Sequence, residues 1–171
     1  MSVLQVSPSR TALHDSPGMA QYLTFILAEQ EYGIDILRVQ EIKGWEHATV
    51  LPKAPSYVKG VFNLRGTVVP LIDLRERFGL PERAYDDTTV VIVLKVLRGH
   101  GHDIIGVVVD AVADVYTMAP EHLHPAPQMG SPIDTAFVQG LATVEDKMII
   151  TLNIDHLLNA GELDTVRAVL P

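Results

Sequence analysis

The chain has 171 residues, no cysteine and a formal net charge of −8. The missing cysteine excludes a disulfide framework, a thiolate nucleophile and Cys-ligated metal centres. The acid excess argues against nucleic acid or an anionic membrane as main partner, because phosphates call for a basic patch. A content of 47% hydrophobic and 20% charged residues allows a core, and no apolar run reaches membrane-helix length. MSVLQVSPSR has no apolar signal core, so a cytoplasmic protein is expected.

Residues 1–20 are rich in Ser and Pro and read as a flexible tail. Tyr22–Leu27 is a run of strand formers, followed by a polar turn at Ala28–Glu31. Tyr32–Ile42 reads as a second strand, although Leu37–Ile42 also fits a helical turn. After a loop marked by Pro52 and Pro55, Tyr57–Phe62 and Thr67–Leu74 form a hairpin around Asn63-Leu64-Arg65-Gly66. Pro70, without an N–H, points to an edge or bulge position for its strand. Leu74–Phe78 suits a short helical turn, and Tyr85–Thr88 a polar hinge. Strands are expected at Thr89–Val96 and Ile104–Val115 around a turn at Leu97–Asp103. Met118–Pro132 reads as a loop, Phe137–Val144 and Lys147–Ile154 as a hairpin, and Glu162–Leu170 as a short terminal helix.

The chain repeats one plan. Gly33-Ile34-x-Ile36-x-x-Val39-x-Glu41-Ile42 matches Gly106-Val107-x-Val109-x-x-Val112-x-Asp114-Val115. Val58-x-Gly60-Val61 matches Val138-x-Gly140-Leu141, and Ile72-Asp73 matches Ile154-Asp155. Chance matching of Val with Ile is the plain alternative. The aligned glycines and acids, in the same order, argue against it. Short antiparallel strands bury one face and protect their edges by curling. The expected fold class is therefore all-β, with two similar barrels side by side. The expected boundaries are a tail at 1–20, barrel halves at 21–87 and 88–158, and a C-terminal tail at 159–171, the whole of 21–158 being one domain.

The residues offer no enzyme signature. Neither a nucleophile elbow nor a phosphate loop is present. His100-Gly-His102 and His122-x-His124 would be the basis of a rival reading, a small metal-binding or enzymatic barrel, but solvated loop histidines fit them better. Asp86-Asp87 point apart on an extended chain, and Glu145-Asp146 suit a hairpin turn. No cofactor, metal or catalytic residue is assigned. What remains is Arg65 in its tight turn, either a solvated residue or a bidentate donor to a carboxylate, with Glu41 as its natural partner. Val39 and Ile42 are ordinary core unless they face a crevice between the barrels, where apolar exposure marks a partner groove.

Glu31-Tyr32-Gly33-Ile34-Asp35-Ile36, Val39-Gln40-Glu41-Ile42, Lys59-Gly60-Val61-x-Asn63-Leu64-Arg65-Gly66, Val69-Pro70-x-Ile72-Asp73-Leu74 and Gly106-x-Val108-Val109-Asp110 closely resemble the CheW-type chemotaxis coupling proteins. The Arg-Pro-Ala-Pro usual in that family is His124-Pro125-Ala126-Pro127 here, and the Leu97–Asp103 turn is longer than the family's. The resemblance spans Tyr22 to Leu158 and implies two SH3-like five-stranded barrels around a shared apolar interface. It implies a non-enzymatic adaptor, monomeric when free, that couples transmembrane chemoreceptors to the regulatory domain of a CheA-type histidine kinase in membrane-bound arrays. A coupling protein of a related pathway, such as pilus motility, would use the same residues. By that analogy Val39, Glu41, Gly60 and Arg65 carry receptor coupling. Val112, Val115 and Gly140 carry a second contact, with Ile42 lining the groove. Gly60 and Gly140 would admit a partner's backbone at close range.

Overall fold

The computed structural model describes residues 18–98, 101–125 and 135–158. The tails expected at 1–20 and 159–171 fall outside these residues apart from Gly18–Ala20, as do the helix expected at Glu162–Leu170 and residues 126–132 of the loop expected at Met118–Pro132. The strands are β1 (Ala20–Leu27), β2 (Gln30–Asp35), β3 (Val39–Gly44), β4 (Val58–Leu64), β5 (Thr67–Asp73), β6 (Val90–Arg98), β7 (Gly101–Val109), β8 (Ala111–Met118), β9 (Leu123–His124), β10 (Val138–Val144) and β11 (Lys147–Leu152). Short helices α1 (Leu74–Arg77) and α2 (Ile154–Leu158) follow β5 and β11. The chain is all-β, as expected.

Three assignments change; one is the strand expected at Ile104–Val115, which is β7 and β8, broken at Asp110 and divided between two sheets. Tyr32–Ile42 is not one strand: Ile36–Arg38 forms a 3-10 turn, and β2 and β3 on either side lie in different sheets. The turn starts at Asp35, whose side chain accepts the Leu37 N–H at 2.9 Å, an Asx cap that competes with strand continuation. β6 and β7 run to Arg98 and from Gly101 and pair to their ends, so the long turn expected at Leu97–Asp103 is replaced by a continuous hairpin.

The two sheets run β8-β1-β2-β11-β10-β9 and β3-β6-β7-β5-β4. Below they are barrel A and barrel B. Neither coincides with residues 21–87 or 88–158. Barrel A joins β1 and β2 to β8–β11, and barrel B joins β3–β5 to β6 and β7. The crossings are the Ile36–Arg38 turn, from A to B, and Asp110, from B to A. The duplicated plan is present in both halves, each giving its first two strands to one barrel and its remaining strands to the other. β2 pairs parallel with β11 through Gly33↔Thr151, and β7 pairs parallel with β5 through Gly106↔Leu71. Bulges recur at Val58/Gly60 and Val138/Gly140. Because Leu71 and Thr151 correspond, Asp73 corresponds to Asn153, not to Asp155 as the sequence match suggests. Both begin helices: Asp73 Oδ1 accepts from Glu76 N at 3.2 Å, and Asn153 Oδ1 from His156 N at 3.1 Å.

The exchange explains the core. Leu23, Phe25 and Leu27 of β1 meet Ile92, Leu94 and Val96 of β6 in one cluster shared by the barrels. The alternate residues Val91 and Val93 point into barrel B, and Tyr22 into barrel A. Both faces of β1 and β6 are therefore buried, so these strands read as continuous apolar runs instead of an alternation. Pro70 is another correction: β5 is interior, between β7 and β4. Pairing with β7 begins only at Leu71, one residue after the proline, which keeps the missing N–H out of the parallel ladder. Tyr85–Thr88 is not a hinge. Tyr85 donates its O–H to Asp73 at 2.5 Å and packs 4.4 Å from Trp45 between ring centroids. Asp86 Oδ1 accepts from Thr88 N at 2.8 Å.

Each barrel thus needs strands from both sides of residue 87. A fragment of residues 18–87 leaves β1 and β2 without β8 and β11, and a few unsupported strands are marginal in water. Expressed alone, it is expected to show a collapsed amide NMR spectrum. A dispersed spectrum from this fragment would overturn the exchange as the basis of stability.

Candidate functional site

Arg65 lies in the two-residue turn between β4 and β5. Arg65 and Gly66 have φ of 50° and 92°, as a type I′ hairpin requires. Asn63 Oδ1 accepts from Gly66 N at 2.8 Å and closes the turn. Asn or Gly suits the first position better than arginine, since a side chain at positive φ is disfavoured. The arginine projects outward, its side chain 74% exposed, and NH1 meets Glu41 Oε1 at 2.8 Å. This is the partner expected from sequence. Glu41 is on β3 and Arg65 beside β4, the two edges of barrel B, so the ion pair closes the barrel where backbone pairing stops. Lys43 of β3, over the Phe62 ring of β4 at 4.8 Å, adds a second closure. Gln40, Leu64, Arg65, Thr67 and Ile104 line a small mouth of about 130 Å³ beside it.

The other expected residues separate into two pseudo-equivalent groups. Val39 and Ile42 lie on β3, the edge of barrel B; Val112 and Val115 lie on β8, the edge of barrel A. All are partly buried and pack against the shared core. β3 and β8 belong to different sheets, so the two groups approach the shared core from different barrels. Charge distinguishes the groups. The turn of barrel A equivalent to Arg65-Gly66 is Glu145-Asp146, with φ of 50° and 64°, and Asp114 stands where Glu41 does. Barrel A therefore presents acids where barrel B presents an arginine–glutamate pair.

Gly60 and Gly140 are buried, and the close approach at each is made by the chain's own backbone. Gly60 has φ 135°, and a Cβ there would collide with the Thr49 carbonyl, whose residue bridges to Val61. At Gly140 a Cβ would lie 3.1 Å from the carbonyl of His124 in β9. Each glycine thus makes room for a segment of this chain.

The sequence reading missed the first crossing. Leu37 is 80% exposed and Leu97 49%. Between them Arg38 grips Asp155 bidentately, NH1–Oδ1 at 2.7 Å and NH2–Oδ2 at 2.5 Å. A polar cleft of about 250 Å³, lined by Asp35, Arg38, Gln139, Leu152, Asn153, Ile154 and Asp155, opens beside the pair. The one available signal was Ile36-Leu37-Arg38, an apolar residue where the strand alternation fails. Among the described residues no group of His, Asp and Glu is arranged to hold a metal, and no helix is long and apolar enough to cross a membrane. His122 Nδ1 instead accepts from Ala119 N at 3.0 Å, a local cap.

A family model described as "CheW-like domain" matches residues 21–162. The chain belongs to the CheW-like family. It is 42% identical over 146 residues to the chemotaxis protein CheW of Klebsiella aerogenes, covering 85% of this chain and 86% of that protein. The CheW of Rhizobium meliloti is 33% identical over 154 residues, covering 90% of this chain and 97% of that protein. The crystal structure of the scaffolding protein TtCheW from Thermoanaerobacter tengcongensis aligns with TM-score 0.76 at 35% identity, over 87% of this chain and 94% of that one. The paired SH3-like barrels of this CheW-like chain are thus the family fold.

Two measurements test the local assignments. Gly60→Ala combines a strained φ with a backbone collision, so a stability loss of about 1–3 kcal/mol is expected, with a smaller loss for Gly140→Ala. Equal stability with lost partner binding would instead make Gly60 a docking residue. The hydrogen bonds from Arg38 hold the Asp155 carboxyl below its ordinary 3.8, against partial desolvation. The native state therefore gains from this group above the ordinary carboxylate range and loses that gain as pH falls through the depressed native value. Asp155→Asn is expected to flatten the acid limb of the stability–pH curve below about pH 4. An unchanged limb would show that the pair contributes nothing.

Proposed function

We propose that this CheW-like chain is a non-enzymatic chemotaxis scaffold that couples the cytoplasmic tips of chemoreceptors to the regulatory domain of a CheA-type histidine kinase. The observation that carries the reading is the family fold over nearly the whole chain, together with an exposed arginine held at positive φ. Arg65 contributes little to the fold. An exposed ion pair is worth about 0–1 kcal/mol, comparable to what its backbone conformation costs. An arginine placed there is better explained by what its side chain offers to another protein.

The physical role suits a rigid adaptor. A receptor tip is a helical hairpin, and an amphipathic helix docks by laying apolar residues on a complementary surface. Val39, Ile42, Leu37, Leu97 and Val50 are among the apolar positions available around barrel B and the first crossing. Charges at the rim, Glu41 with Arg65, set orientation more than affinity. Val112 and Val115 on barrel A, among acids, suit a second and different contact. Held between two partners, the scaffold needs no bond made or broken; it acts by biasing the kinase's conformational equilibrium. The scaffold works in the cytoplasm and reaches the membrane through the receptors it binds.

Arg65→Glu tests this. The variant is expected to keep the wild-type melting temperature to within a few degrees and to reduce receptor-dependent kinase activation at least about tenfold, the loss of one charge-assisted contact. Wild-type activation by this variant would remove Arg65 from the coupling surface. A pull-down of the wild-type chain with a kinase regulatory domain and a receptor cytoplasmic fragment, singly and together, tests the whole reading. Capture of neither would end it.

A further inference from the structure

The two crossings between barrels are each held by an ion pair from the helix that follows the parallel-paired strand, and the two pairs have opposite polarity. In the second crossing the acid is on the crossing: Asp110 Oδ2 accepts from Arg75 NH1 of α1 at 2.6 Å and from Ala28 N at 3.0 Å. In the first the base is on the crossing: Arg38 donates to Asp155 of α2. Arg75 and Asp155 occupy corresponding positions, each two residues after the helix-capping Asp73 or Asn153.

The two clamps differ in setting. The side chains of Arg75 and Asp110 are 13% and 8% exposed, and those of Arg38 and Asp155 are 22% and 30% exposed. The 3-10 turn Ile36–Arg38 contains no buried residue, so packing does not fix it; polar contacts do. Asp35 caps the turn through the Leu37 N–H, and both side-chain bonds that tie it to α2 end on one carboxylate. Asp155 Oδ1 accepts from Arg38 NH1 and also from the Leu97 backbone N–H at 2.8 Å. Arg38 NH1 additionally donates to the Lys95 carbonyl at 3.1 Å. Asp155 therefore ties the crossing to the end of β6, and the residues it ties are those that display Leu37 and Leu97. The cleft beside it gives water access to the pair.

We propose that Asp155 is a positioning residue: its carboxylate is a releasable latch that sets the mutual placement of Leu37 and Leu97, whereas the Arg75–Asp110 clamp is a permanent part of the core. That this pair of leucines serves partner docking rests on the function proposed above; the latch itself does not. Release frees the first crossing and the end of β6 while both barrels stay folded. A partner that engages the leucines then selects the latched arrangement, and the latch sets how much ordering that partner must do.

Native-state hydrogen exchange on the full chain decides it. Asp155→Asn is expected to raise amide exchange at Leu97 and Val39 at least about tenfold, as the loss of charge-assisted bonds implies. Phe25, Ile105 and Val107 should stay protected. Asp110→Asn should raise exchange throughout the chain. The exchanged pair Arg38→Asp with Asp155→Arg should restore protection at Val39, which a merely destabilising change would not do. Unchanged exchange at Leu97 and Val39 in Asp155→Asn, or an equal rise at every core amide, overturns the latch. A receptor cytoplasmic fragment added to the same samples separates the two ideas. If it fails to bind the wild-type chain, the proposed function falls while the exchange data still judge the latch.

Discussion

The structure depends on one constraint: each repeat is divided between the barrels, its first two strands in one and its remaining strands in the other. β3 pairs with β6 and β8 pairs with β1, so β1 and β6 carry partners on both edges and apolar contacts on both faces. The cluster of Leu23, Phe25, Leu27, Ile92, Leu94 and Val96 between them belongs to neither barrel alone. Two small barrels joined only by a linker would bury little surface against each other and move as separate bodies. Here the backbone passes from one to the other twice, and relative motion would have to open the apolar cluster they share. That rigidity is what an adaptor requires, since its output is a geometry.

Within this duplicated frame, function lies where the copies differ. The hairpin turns share their positive φ angles, yet one carries Arg65-Gly66 and the other Glu145-Asp146. The crossings share their helix-borne clamps, yet the charges are exchanged and only one clamp is deeply buried. A pseudo-symmetric body with identical surfaces would bind one kind of partner twice. Under the proposed function, unequal charge at equivalent positions suits two different ones, because like charges opposed at a rim disfavour the wrong partner.

Much of the site was legible because local rules govern it. Asn63-Leu64-Arg65-Gly66 between two apolar runs is a hairpin by turn chemistry, and a lone arginine there needs an acid, which Glu41 supplies at 2.8 Å. The paired glycines marked two crowded backbone positions, where the neighbouring backbone is that of Thr49 and His124. Leu37 was not legible. Its exposure follows from the Asp35 cap and the Arg38–Asp155 pair, a contact across 117 positions of sequence.

The sequence by itself determined the all-β class, the duplication and the turn at Arg65-Gly66, because strand periodicity, aligned glycines and turn residues act over a few neighbours. Only the tertiary structure decided which strands share a barrel. The run Tyr32–Ile42 keeps its apolar pattern whether it stays in one sheet or crosses to another. The choice is made by distant partners, β11 for its first part and β6 for its last, through hydrogen bonds and burial that no local pattern records.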